Sequence, residues 1–542
     1  MITRHYISIG DRQIHYRRTG QGPALVLLHA SPVSSRIFEP MMRFMARHFT
    51  CFAFDTPSNG LSDSLKAEDP DMANYADAQA EALRALGIQK CIAYGRHTGA
   101  SIAVELANRH PELVTLAMTD GYPVFTKEQS EAYLSGYLND LPVEADGSHL
   151  QWTWNRYRDQ FIFWPWSKRQ AEFRADVDMP SDAFLQNGVI ALLEAGNRYK
   201  RPYSAVFKHQ AMDCLNHVEV PVCIASRPGD SLFSRFNNFP EDIWREEIPR
   251  EFQEACARER DIMLGYKPKM DAPALIDDSD AAKTYVNIGA EQLSIWRGGQ
   301  GGVPLIVLGE CPGSVMAHLS GLTVLAQTRR VIAIDPAGCG ESDAAADGDV
   351  SVERQVDRID AALEALSITG FDLLGIGAGA ALTLEAARRA PSTVKSMRWV
   401  DPLLVSHALR LALHNGFRDL RIENDGSHLT KLWMQERDST IWFPWFDRRR
   451  ESARTGENLS FDVGALQNRV EVLNKHIASY GALGRAVWDY PLAKRAAAFM
   501  PSFAGNFEIF TTPNGHVPKR CLTDIDGLPA AKAVESIEES FI

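Results

Sequence analysis

At 542 residues, 45% hydrophobic and 23% charged, the chain has the make-up of a water-soluble globular protein long enough for two domains. Its formal net charge of −12, spread without long acidic runs, argues against a nucleic-acid surface, which calls for a basic patch. There is no apolar run of about 18 residues to cross a membrane, and the opening MITRHYISIG has no apolar signal-peptide core.

In chain order, IHYRRTG and ALVLLHA predict a hairpin strand and a buried strand, and FTCFAFD a second apolar strand ending at Asp55. A helical pattern follows over 71–86, then CIAYG as a strand and SIAVELANRH as a helix. LVTLAMTD is another strand, ending at Asp120. The strand rhythm then stops for a helical, Trp-rich stretch, and VPVCIAS resumes it ahead of Asp230. The order begins again with VPLIVLGE, RVIAID, FDLLG and SMRWVD, and a second helical stretch follows Asp401. Short apolar strands separated by helices predict βαβ units and a mostly parallel sheet.

The second half repeats the first. FDTPSNGLSD returns as IDPAGCGESD, GRHTGAS as GIGAGAA, DGSHL as DGSHL and RDQFIFWPW as RDSTIWFPW, each about 280 residues later. The chain reads as a fused duplication, with its seam in the polar, Pro-containing stretch 267–284. The expected domains are 1–268 and 281–542, with helical insertions over about 123–208 and 403–486. The two halves are expected to pack as a pseudo-dimer.

This order of motifs resembles the capped members of the α/β-hydrolase superfamily. LLHASP resembles the oxyanion loop, and YGRHTGAS the tight turn that presents a nucleophile between a strand and a helix. The resemblance implies two tandem α/β domains, each a mostly parallel sheet flanked by helices with a helical cap. It places acids at Asp120, Asp230 and Asp401, and a histidine loop at TTPNGHVP, around His516. Copy two is read as missing the strand before the counterpart of Asp230. The nucleophile's own position departs from the family: copy one has His97 and copy two has Gly377. A serine acyl-enzyme is therefore not expected.

Several roles follow as expectations. His97 would act as a base oriented by Asp230 or Asp120. His516 with Asp401 would form a second acid–base pair, with Gly377 leaving room for substrate. The amides of Ala30 and Thr98 would steady an oxyanion in copy one, beside His29; Glu310 and Ala378 would do so in copy two. His149 and His428, in the repeated DGSHL, read as local capping or as histidines reaching toward the turn. Trp164, in FIFWPW, reads as packing or as a wall selecting an apolar ligand. No cofactor or metal is expected, because neither HExxH nor paired Cys/His spacing is present. The eight scattered cysteines, with no CxxC, suggest reduced thiols in the cytoplasm. The expected substrate is a small apolar ester, lactone or carbonyl compound, handled by hydrolysis, a lyase step or a cyclisation. The alternative is a non-catalytic protein that binds a ligand or a partner.

Overall fold

The computed structural model describes residues 1–276, 278, 281–454, 461–512 and 528–534. It divides into two compact units. Unit 1 comprises Met1–Pro142 and Trp152–Ala281; unit 2 comprises Ala282–Ile542 together with Val143–Gln151. The division thus differs from the expected boundaries, since 269–281 stay with unit 1 and a short segment of the first half belongs to unit 2.

Unit 1 is built on β1 (Thr3–Ile9), β2 (Arg12–Thr19), β3 (Ala24–Leu28), β4 (Thr50–Phe54), β5 (Cys91–Arg96), β6 (Val114–Asp120), β7 (Val222–Ser226) and β8 (Arg245–Glu247). Their order in the sheet is β1-β2-β4-β3-β5-β6-β7-β8. β1, β2 and β4 pair antiparallel, and every pair from β4 to β8 is parallel. Every residue of β3 and β4 is buried, as strands covered on both faces must be, and this explains their unbroken apolar sequences. Helices α1 (Glu39–Met45), α2 (Met72–Ala85) and α3 (Thr98–Arg109) alternate with these strands. Asp71 starts α2 with a capping box to Asn74.

The turn from β5 into α3 positions the site. His97 joins them at φ 46° and ψ −110°, a strained conformation for a residue with a side chain. Glycines make the turn possible. A β-carbon on Gly95 would fall 2.0 Å from the Gly99 carbonyl oxygen, and one on Gly99 would fall 2.0 Å from that of Leu28. Between β6 and β7 the chain inserts helices that include Lys127–Gly136, Asp182–Ala195 and Lys200–Lys208.

Unit 2 repeats the plan with β9 (Lys283–Ile288), β10 (Glu291–Gly298), β11 (Leu305–Leu308), β12 (Val331–Ile334), β13 (Phe371–Ile376), β14 (Val394–Val400), β15 (Asn506–Thr511) and β16 (Lys532–Ala533). The order is β16-β15-β14-β13-β11-β12-β10-β9. β15 pairs parallel with β14, in the place that β7 holds beside β6. This corrects the expectation that copy two lacks that strand. Its sequence, NFEIFT, carries a glutamate that pairs with Arg398 of β14, and this polar pair hid the strand.

Candidate active site

The parallel strands of unit 1 end along one edge, and three of those ends supply the site. Arg96 closes β5, Asp120 closes β6 as its register partner, and Asp230 lies in the loop after β7. His97 Nε2 meets Asp230 Oδ2 at 2.7 Å. An ionised carboxylate only accepts, so Nε2 carries the proton and Nδ1 is left with a lone pair. Nδ1 makes no hydrogen bond among the described residues, and the His97 side chain is 30% exposed. Burial presses this imidazole toward its neutral form. The Asp230 charge and hydrogen bond outweigh that effect and hold its pKa above the ordinary 6.5. Asp230 is pulled the other way: burial would raise it, but His97 and the Leu232 amide keep it below the usual carboxylate range.

Both residues face a cavity of about 430 Å3. Ala30 and Thr98 stand on its wall, as do the strand-end residues Arg96 and Arg227, while Phe125, Trp164, Phe184 and Phe207 supply aromatic surface from the inserted helices and loops. The capacity suits a small organic molecule.

Behind the dyad is a buried charge network. Asp120 Oδ2 forms an ion pair with Arg96 Nε at 2.9 Å and accepts from Arg227 Nη2 at 2.8 Å. Arg227 Nη2 also donates to Glu259 Oε1 at 2.9 Å, and so does the Tyr94 hydroxyl, again at 2.9 Å. Burial and the neighbouring Asp120 raise the Glu259 carboxyl well above its usual range. Neither Arg227 nor Glu259 belongs to a motif of the sequence. Arg227 had one legible signal, in that it directly follows an apolar strand and stands three residues ahead of Asp230.

The structure therefore selects between the two acids offered to His97. Asp230 bonds the ring; the Asp120 carboxylate is committed to the two arginines, and only its main-chain oxygen meets His97, accepting from the amide at 3.2 Å. His29 is not on the cavity wall. Its Nδ1 donates to the Ala30 oxygen at 2.7 Å and its Nε2 accepts from the Thr56 amide at 2.9 Å, so it ties two buried loops together. Trp164 lines the cavity. His149 does not: it lies in the Val143–Gln151 segment of unit 2, where Nε2 meets Gln467 Oε1 at 2.7 Å and Nδ1 accepts from the Glu144 amide. The ring of His428 likewise accepts from the Glu423 amide.

In unit 2, Gly377 takes the turn at φ 56° and borders a separate cavity of about 320 Å3. Asp401 accepts from the Thr512 amide at 2.8 Å and from its hydroxyl at 2.6 Å. His516 lies outside the described residues. Glu310 and Ala378 border a further cavity of about 100 Å3 in this unit.

One grouping of ligand-type side chains escaped the spacing patterns. Glu105, His209 and Cys214 place one donor atom each within 4.8 Å of one another. The Cys214 thiol donates to Glu105 Oε2 at 2.7 Å, and His209 Nε2 lies 3.3 Å from the same oxygen.

A family model described as "alpha/beta hydrolase fold" matches residues 23–171 and 312–421. Among similar proteins, the 2-(acetamidomethylene)succinate hydrolase of Mesorhizobium japonicum is 29% identical over 167 residues, covering 26% of this chain and 59% of that protein. The proline iminopeptidase of Heyndrickxia coagulans is 28% identical over 180 residues, covering 33% of this chain and 54% of that protein. The chain thus spans between half and three-fifths of the length of these relatives. The solved structure of epoxide hydrolase A from Mycobacterium thermoresistibile matches with a TM-score of 0.41 and 14% identity, over 50% of this chain and 100% of that one. No helix among the described residues is long and apolar enough to cross a membrane. Two sheets of eight mostly parallel strands, each with the glycine-flanked strand-to-helix turn, and family matches in both halves identify the chain as a tandem of two α/β-hydrolase-fold units.

Proposed function

We propose that unit 1 is an enzyme that uses His97 as a general base, without a covalent acyl-enzyme, on a small, largely apolar ester, lactone or related carbonyl compound. One observation carries this reading: at the position of the turn that faces the cavity, the imidazole is held by Asp230 at 2.7 Å, and its other nitrogen makes no hydrogen bond among the described residues.

The chemistry follows from that geometry. Nδ1 takes a proton from water, and the oxygen attacks the substrate carbonyl. The resulting oxyanion is met by the Ala30 and Thr98 amides, both on the cavity wall and neither with a hydrogen-bond acceptor among the described residues. The tetrahedral species collapses, the imidazolium returns its proton to the leaving oxygen, and acid and alcohol are released. Asp230 supports the imidazolium at each stage. A lyase or cyclisation step would use the same proton transfer; the hydrolases among the relatives favour hydrolysis.

The test is turnover of a panel of aryl esters and lactones by the full chain and by His97→Ala. The reading requires measurable wild-type turnover and a loss on the order of 10²- to 10⁴-fold in the variant. A wild type inert across the panel, or a variant as active as wild type, would refute it.

For unit 2 we favour a non-catalytic role, because Gly377 offers no side chain at the corresponding position.

A further inference from the structure

Arg96 is held at only one of its three nitrogens. Nε lies 2.9 Å from Asp120 Oδ2 as an ion pair, and the two terminal nitrogens make no hydrogen bond among the described residues. The side chain is 36% exposed and lies on the cavity wall directly beside His97. Arg227 is committed through Nε and Nη2 to Asp120 and Glu259, and its Nη1 is likewise unpartnered among the described residues. Asp120 thus anchors both guanidinium groups, and both residues line the cavity with terminal nitrogens that make no hydrogen bond among the described residues. A guanidinium pre-oriented in this way presents the fork that matches a planar carboxylate.

The charge count points the same way. The guanidinium groups of Arg96 and Arg227 share the Asp120 carboxylate. The second carboxyl, Glu259, sits where burial opposes its ionisation. Burial that disfavours the Glu259 carboxylate leaves the pair of guanidinium groups leaning positive at the cavity wall. That suits a monoanion. A phosphate dianion would bring a second negative charge toward Asp230, which must remain ionised to hold His97.

We propose that the unit 1 cavity selects substrates bearing a carboxylate group, which is received by the terminal nitrogens of Arg96 with Arg227 Nη1, while the aromatic wall receives the apolar remainder. The proposal rests on the preceding reading only in taking this cavity as the substrate site, and it is tested by binding rather than by turnover.

The experiment is calorimetric titration of the full chain with a panel of aryl- and alkyl-carboxylates of roughly eight to twelve non-hydrogen atoms, within the size such a cavity holds. Each is paired with its neutral primary amide and, for the aryl members, with the phosphate monoester. The proposal expects carboxylates to bind at least tenfold more tightly than amides. Arg96→Gln is expected to erase that ratio while leaving amide binding in place, and Arg96→Lys to restore it only in part. The readout is binding and not turnover, which separates this proposal from the catalytic one. Binding by no carboxylate of the panel would overturn it, as would equal affinity for carboxylate and amide, a preference for phosphate monoester, or a carboxylate preference that survives in folded Arg96→Gln. Circular dichroism and melting of each variant establish that it is folded, and the retained amide affinity reports an intact cavity.

Discussion

Gly121 leaves the His97 ring its place: a β-carbon at this glycine would lie 2.7 Å from His97 Cδ2 and 3.1 Å from Asp230 Oδ1. Its φ of 76° is one that other residues adopt only at a cost. Both effects oppose any larger residue. Gly121→Ala is expected to push the ring off Asp230, to lower kcat by about a hundredfold, and to cost about 1–3 kcal/mol of stability. Steady-state kinetics with a melting curve checks this, and a variant with unaltered kcat would show that the ring's placement does not matter.

The dyad also sets a pH dependence. Asp230 holds the His97 pKa above 6.5 in the folded chain, so the base is free only as the pH rises past that raised value. Activity should climb along a limb above pH 6.5, and Asp230→Asn should move the limb downward while reducing the plateau. The stability effect has the opposite slope. A raised histidine pKa means the folded state binds the proton more tightly. The pair's contribution is full below the unfolded value and fades as the pH rises through the folded one. Melting temperatures of wild type and Asp230→Asn should therefore differ most in mildly acidic solution and converge in alkali.

The two halves treat one repeated aspartate differently. In unit 1, Asp55 bonds the His15 ring at 2.8 Å, and its pKa is lowered. In unit 2, the position paired with Asp335 is Ser294, and burial pushes the Asp335 carboxyl up to about 6. A carboxyl with a raised pKa costs stability as pH climbs from the unfolded value through the folded one. Over that interval of roughly two units the cost approaches about 3 kcal/mol. Asp335→Asn should raise the unfolding midpoint at pH 7 and flatten its dependence between pH 4 and 6. Asp55→Asn should lower stability. Chemical denaturation across that pH range distinguishes the two.

Gly188 lies in the helix Asp182–Ala195, where alanine would ordinarily be favoured by about 1 kcal/mol. A β-carbon there would fall 1.8 Å from Tyr157 Cζ, and Tyr157 is part of the cavity wall. Sterics win this contest. Gly188→Ala should drive the Tyr157 ring toward the cavity and raise KM several-fold for bulky substrates while leaving small ones nearly unaffected. Equal effects on both would mean that the ring yields elsewhere.

What the sequence revealed about this molecule was governed by distance along the chain. The turn around His97 was legible because Gly95 and Gly99 are demanded by contacts only a few residues apart and by the adjoining strand β3. The duplication was legible for the same reason, repeated. The choice between Asp120 and Asp230 was not. Both follow neighbouring strands and arrive at the same edge, and what decides between them is Arg96 and Arg227 claiming the first. Arg227 is more than a hundred positions from Asp120, and no periodicity links them. His29 was misplaced because its motif implies a loop facing the cavity. Its two ring nitrogens instead satisfy buried backbone groups, a demand visible only in three dimensions. β15 was missed because a half-exposed strand that pairs its charges sideways does not read as apolar.

The assignment of Val143–Gln151 to unit 2 bears on how such a protein persists. A polypeptide beginning at Ala282 would lack the Ala145 oxygen that receives the Trp433 indole N–H, and the imidazole of His149 that meets Gln467. One ending at Ala281 would keep that segment but have nowhere to lodge it. Gene scission at the seam would therefore yield two incomplete products. Unit 2 thus depends for its packing on a segment that the leading half of the chain supplies.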